Sequence, residues 1–206
     1  MKFGHVCAER WWLPAGMLVA AAVLRILYIK DPDFSRCKGR EIIKEYAFLC
    51  VVGGICLPWE ISREFLCIQV CYAGMFVYLI VAATMDSQLQ MVSDFLHGIG
   101  LLSAGVAFFF SQTKPEIRCS FLMFCLIQCF VFRHMYGSAD VVMFMVCSLF
   151  FAAEGRSMET YLLHMGLTFS ILGVVQLFRG NISRRGNLKE PVALVPYVAV
   201  SFFVII

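Results

Sequence analysis

The feature that most restricts this chain is the length of its nearly uncharged runs. Eight of them follow one another: Trp11–Ile29, Ile43–Leu57, Phe65–Met85, Phe95–Ser111, Cys119–Tyr136, Val141–Ala153, Met158–Phe178 and Pro191–Ile206. A helix needs about 20 apolar residues to cross the hydrocarbon of a bilayer. Inside hydrocarbon only a helix or a closed barrel satisfies its own backbone hydrogen bonds. These runs are continuous rather than alternating, which selects helices. Composition agrees, since 61% of the 206 residues are hydrophobic and 15% are charged. A soluble core of this size cannot cover that much apolar side chain. The expected fold is all-α, a polytopic transmembrane bundle of about eight helices. Val141–Ala153 is too short to span by itself.

Net charge is +3, too little for a nucleic-acid binder. The placement of the cations says more. If the helices alternate, one face gathers Lys30, Arg36, Lys38, Arg40, Lys44, Arg133, Arg179, Arg184, Arg185 and Lys189. The other gathers Lys2, Arg10, Arg63, Lys114, Arg118 and Arg156. The richer face is expected to be cytoplasmic, which puts the amino terminus outside and makes this a multi-pass protein of the plasma membrane. Its two dense clusters also read as contacts for anionic lipids. Arg25, alone within the first run, is expected to snorkel or to pair with another helix.

Ten cysteines raise the question of disulfides or zinc, but no CxxC pair exists. Cys50, Cys56, Cys67, Cys71, Cys125, Cys129 and Cys147 lie in apolar runs, where a free thiol packs as a small hydrophobe. No histidine pair or Ser-His-Asp set falls at the helical spacing that metal or serine chemistry needs. No metal or cofactor is expected.

Ionisable groups at membrane depth are costly and call for a role. Asp86 closes the third run, after Val81-Ala82-Ala83-Thr84-Met85, and Asp140 follows Gly137-Ser138-Ala139 between the fifth and sixth. Alternation places both carboxylates on the cytoplasmic face, where folding can bring them together. Two adjacent carboxylates share a proton, so that one serves as base on a water while the other polarises a carbonyl. The plainer reading is a pair of solvated helix-end carboxylates at headgroup level.

The segment from Ala83 to Asp94 resembles the first catalytic segment of the prepilin peptidases, in which an Asp ends a helix and a Pro-Asn or Pro-Asp pair follows. Here Ser93-Asp94 stands at that pair, without the proline. Gly137-Ser138-Ala139-Asp140 resembles the GxGD signature of the same intramembrane aspartic proteases, with Ala139 for the second glycine. The stretch Lys189-Glu190-Pro191 through Pro196-Tyr197 is similar to the start of that family's last helix. The likeness spans roughly residues 65–206, a six-helix peptidase core, and leaves 1–64 as two further helices of unknown role. It implies an aspartic endopeptidase with Asp86 and Asp140 as its dyad and water as nucleophile. Gly137, Ser138, Ala139, Asp94 and Pro196 would support the motif. The implied substrate is a pilin-like membrane precursor with an N-terminal leader. No CxxC-bearing cytoplasmic domain is present, so peptidase activity alone is implied, with no S-adenosylmethionine. Family members often carry Lys two residues after the second Asp; Val142 stands there instead.

Two other readings stay open. One is an inactive relative acting as a membrane scaffold or assembly partner. The other is a small transporter using Asp86, Asp140 or Glu154 as a proton relay. His134, beside Arg133, reads as interfacial, and His164 as an interhelical donor. Gly98, Gly100, Ala104 and Gly105 suggest close helix contact along the fourth run.

Overall fold

A computed structural model describes residues 12–56, 66–131, 137–182 and 192–206. Among the described residues the helices are α1 (Trp12–Lys30), α2 (Pro32–Ser35), α3 (Gly39–Cys56), α4 (Leu66–Leu89), α5 (Asp94–Phe110), α6 (Pro115–Phe130), α7 (Ser138–Ala153), α8 (Met158–Ile182) and α9 (Val195–Ile205). Eight of them fall on the eight apolar runs. The short α2 is an addition that hydropathy does not signal. It is built on Asp31, whose carboxylate accepts from the Asp33 and Phe34 N–H groups, with Pro32 in the first turn. In turn, α6 stops at Phe130, short of the expected Tyr136, and Arg133 and His134 lie outside the described residues.

Side-chain contacts fix the directions. Trp12 meets Tyr72 and Phe76, so α1 starts level with the start of α4 and runs parallel to it. Tyr78 on α4 contacts His97 and Gly100 on α5, which therefore returns antiparallel. Thr113 bonds the Ala153 carbonyl, and Arg156 bonds the carbonyl of Ile206. The long helices thus alternate in direction, and α1, α4, α6 and α8 finish at the end where α3, α5, α7 and α9 begin. The end reached by Lys30, Leu89, Ser138 and Val195 is called the aspartate end below.

Among the described residues three helices are long and apolar enough to cross a membrane: Trp12–Lys30, Gln69–Leu89 and Met158–Phe178. Their surroundings differ. In the 18-residue apolar window of Gln69–Leu89, 72% of the residues are buried against protein, against 22% in the corresponding window of each of the other two. So α4 is the central helix, and α1 and α8 lie outside it. The outer faces are strongly apolar. Leu18, Ile29, Phe95, Phe109, Phe130 and Leu177 are each more than 70% exposed. A surface of that kind suits lipid rather than water. Within the bundle, Phe144, Phe151, Tyr161 and Phe202 ring His164, with Phe151 stacked on the imidazole at 5.4 Å.

The turn from α7 to α8 is held by Gly155 at φ +67°. Its N–H donates to the Ala152 carbonyl, and the Arg156 N–H donates to Phe151, the paired bonds of a Schellman C-cap. A side chain in the left-handed region costs about 1–2 kcal/mol. Gly155→Ala should therefore destabilise the bundle by about 1 kcal/mol, read as a lower unfolding temperature in detergent, with no change in helix content.

Candidate functional site

Asp86 lies in the last turn of α4 and is 8% exposed. Its Oδ2 accepts a 2.9 Å hydrogen bond from the Val195 N–H, the first residue of α9, and the Leu194 N–H also contributes. The first N–H groups of any helix lack partners within it. Here a carboxylate 109 residues away in sequence supplies one. The arrangement also places negative charge at the positive end of the helix dipole. Pro196, in the first turn of α9, has no N–H to satisfy.

Asp140 occupies the third position of α7, with Gly137 as the N-cap. That register lets its carboxylate reach back to the Gly137 N–H, one half of a capping box. A Cβ on Gly137 would lie 3.5 Å from Asp140 Oδ2, an ordinary contact. The charge of Asp86 acts on Asp140, so the two carboxylates are electrostatic neighbours at the aspartate end. Each is set against a helix N-terminus. Those N-termini offset part of the cost of holding two carboxylates together in apolar surroundings.

The departure at Ala139 has a structural answer. A second glycine would be needed if the backbone adopted positive φ there or packed too tightly for a Cβ. Ala139 is instead an ordinary residue of α7, half-buried. Positive φ among the described residues occurs only at Gln90 and Gly155. Ser138 is exposed in the first turn of the same helix.

Asp94 is exposed in the first turn of α5, and the Ser93 side chain before it makes no capping bond. Among the described residues no contact ties Asp94 to Asp86 or Asp140; its charge acts on His97 instead. Glu154 caps the far end of α7, so it stands 14 residues, about 21 Å along the helix, from Asp140. Burial pushes the Glu154 carboxyl up, with Arg156 opposing. A relay joining Glu154 to the aspartates would need intermediates along α7, whose inward face there carries Met143, Phe144, Val146, Cys147 and Phe150.

Near Asp86 lies a cavity of about 450 Å³ between α3, α4, α8 and α9, lined by neither aspartate itself. Glu45, Ser87, Gln88 and Gln90 give it polar walls, while Phe48, Ile171, Val175, Pro196, Tyr197 and Val200 give it apolar ones. Asp86 precedes Ser87, and Val195 precedes Pro196, so the cavity adjoins the Asp86–Val195 contact. Gln90 follows the last residue of α4 at φ +54°, its N–H bonded to the Asp86 carbonyl. That conformation is uncommon for a residue with a side chain, and such strain gathers at functional positions.

Sequence reasoning left several polar contacts unseen. His97 Nδ1 meets the Tyr78 hydroxyl at 2.8 Å inside the bundle. Gln128 donates to the Tyr161 hydroxyl, which donates to the Phe144 carbonyl. His164, expected as an interhelical donor, does bridge helices: its Nδ1 meets Ser201 Oγ, which also meets Thr168 Oγ1. The faint signal for these was a polar side chain inside an apolar run, which shows that a partner exists but not which one. Comparison with family models, with curated proteins and with solved structures finds no match to this chain.

Proposed function

We propose that this chain is a multi-pass intramembrane aspartic endopeptidase, with Asp86 and Asp140 as its dyad. The observation that carries the proposal is the convergence of these two carboxylates, from α4 and α7, at one end of the bundle within electrostatic reach. The adjoining polar-walled cavity adds room for a peptide backbone. The catalytic face is the cytoplasmic one, on the cation asymmetry, and all eight long helices cross the bilayer.

In this reading one carboxylate is ionised and one protonated. The ionised group takes a proton from water as the water oxygen attacks the peptide carbonyl carbon. The protonated group donates its proton to the carbonyl oxygen. The tetrahedral adduct then collapses: the C–N bond breaks, the leaving nitrogen takes a proton from the dyad, and one adduct hydroxyl gives its proton back, which restores the singly protonated pair. Water is the only co-reactant. The backbone donor at Val195 holds Asp86 in one orientation, which fixes half of the dyad before substrate arrives. The substrate class is a membrane precursor whose leader is cut at the cytoplasmic face, on the resemblance to prepilin peptidases.

Carboxylates that interact release their protons in two separate steps, and only the singly protonated pair is competent. Cleavage should therefore follow a bell-shaped pH profile. It falls at low pH as both groups take up protons, and at high pH as both lose them. The test is incubation of the protein in proteoliposomes with leader-bearing, pilin-like precursors across a range of pH. A shortened product with a bell-shaped rate profile supports the reading. Folded protein that cleaves no precursor at any pH removes it.

A second reading has an observation of its own. Asp86 and Asp140 both satisfy helix N-termini, which is a sufficient structural reason for them in a non-catalytic scaffold.

A further inference from the structure

A second cavity, of about 430 Å³, lies apart from the aspartates, between α1 and α3. Its apolar walls are Ala21, Leu24, Ile42 and Ile43, and its polar groups are Arg25, Tyr28 and Tyr46. Tyr46 is already engaged, its hydroxyl donating to the Met17 carbonyl across the groove. Arg25 is not. The ion pairs among the described residues are Arg36–Asp33 and Lys44–Glu41, both exposed. No described carboxylate lies within 4.0 Å of Arg25, Lys30, Lys38 or Arg40.

The position of Arg25 matters as much as its lack of a partner. It sits five residues before the end of α1, about 7.5 Å inside the aspartate end of the helix. A guanidinium at that depth, facing a groove walled with aliphatic side chains, needs an anion that is itself attached to something apolar. Free phosphate brings the anion without the apolar part. A neutral lipid brings the tail but no net charge for the cations at the mouth, where Lys30 ends α1 and Lys38 and Arg40 flank the start of α3. A phospholipid of net negative charge brings both.

We infer that the α1–α3 groove is a binding site for one anionic phospholipid. Its phosphate takes a forked pair of hydrogen bonds from Arg25. One acyl chain lies along Ala21, Leu24, Ile42 and Ile43. Lys30, Lys38 and Arg40 supply the field that prefers a negatively charged headgroup over a zwitterionic one. The site lies outside the dyad and does not depend on the peptidase reading.

The test uses the full chain in detergent micelles, titrated separately with phosphatidylglycerol, phosphatidylcholine and inorganic phosphate. Lipid retained in native mass spectrometry and the unfolding temperature are the two readouts. Phosphatidylglycerol should be retained with one molecule per chain and should raise the unfolding temperature. The other two should do neither. Arg25→Gln should weaken retention about tenfold or more, the scale of one lost forked phosphate contact. Arg25→Lys, which keeps charge but loses the fork, should fall between. Lys114→Gln, at the start of α6 and the opposite end of the bundle, should leave retention unchanged. Should Arg25→Gln fail to fold, Ala21→Trp fills the groove and should abolish retention by itself. Equal retention of phosphatidylcholine, stabilisation by inorganic phosphate alone, or full retention in a folded Ala21→Trp variant overturns the assignment.

Discussion

Asp140→Asn and Asp86→Asn should each lower leader cleavage about 10³-fold or more while leaving the folded bundle nearly as stable as the parent. The two halves of that result come from different chemistry. An amide at either position cannot take a proton from water or pass one to a carbonyl, and losing a positioned acid or base costs about 10²–10⁴ in rate. An amide oxygen does still accept a hydrogen bond. The Asp86→Asn side chain would keep the Val195 N–H satisfied, and the Asp140→Asn side chain would do the same for the Gly137 N–H. Alanine separates the roles again. Asp86→Ala leaves the start of α9 without its acceptor and should cost about 1 kcal/mol in stability, as loss of a helix cap does elsewhere. The scaffold reading shares that stability ordering and differs in cleavage. In a scaffold, Asn is silent, Ala is harmful, and cleavage is absent throughout. Measuring product formation and unfolding temperature on the parent and these three variants decides between the two.

Those aspartates were legible for a plain reason. A carboxylate that ends an uninterrupted apolar run stands out against the cost of burying it, and helix alternation assigns it to an end of the bundle. The directions of all eight long helices follow from that alternation, and the contacts around Trp12, Tyr78, Thr113 and Arg156 agree with it. What holds Asp86 was not legible. Its partner is a backbone N–H, which every residue but proline carries, so nothing in the identity of Val195 marks it as the donor. The weight of Ala139 was likewise undecidable until the backbone was known. A helical residue tolerates a methyl group that a left-handed one would not. Asp94 shows the reverse failure. Its place in a motif gave it importance, but at the exposed first turn of α5 it does what many acidic residues do at a helix N-terminus. Whether eight helices span, or only the three of sufficient length, was not decided by run length. Apolar helices such as Ser138–Ala153 fall below the length of those three.

The small residues of α5 carry the second large effect. Sequence alone put Gly98, Gly100, Ala104 and Gly105 into one group, yet helical geometry divides them. Ala104 is fully buried. A Cβ on Gly98 or Gly105 would meet nothing within 4 Å. A Cβ on Gly100 would lie 2.8 Å from the ring of Tyr78, a distance real side chains do not reach. Tyr78 cannot easily retreat, since it is fully buried and its hydroxyl is bonded to His97. Between helices in lipid, close packing and hydrogen bonds supply the attraction that the hydrophobic effect supplies in water. A clash at this crossing therefore removes what holds α5 to the central helix. Gly100→Ala should cost about 1–3 kcal/mol, the usual range for overpacking a core, and Gly100→Leu should prevent stable folding. Gly98→Leu adds the same bulk two residues earlier, on an exposed face, and should change stability by less than about 0.5 kcal/mol. Unfolding temperatures of the three variants in one detergent make the comparison. Equal losses at Gly98 and Gly100 would mean that the Tyr78 contact does not set the demand for small residues in α5, since helix propensity by itself favours leucine over glycine at both positions.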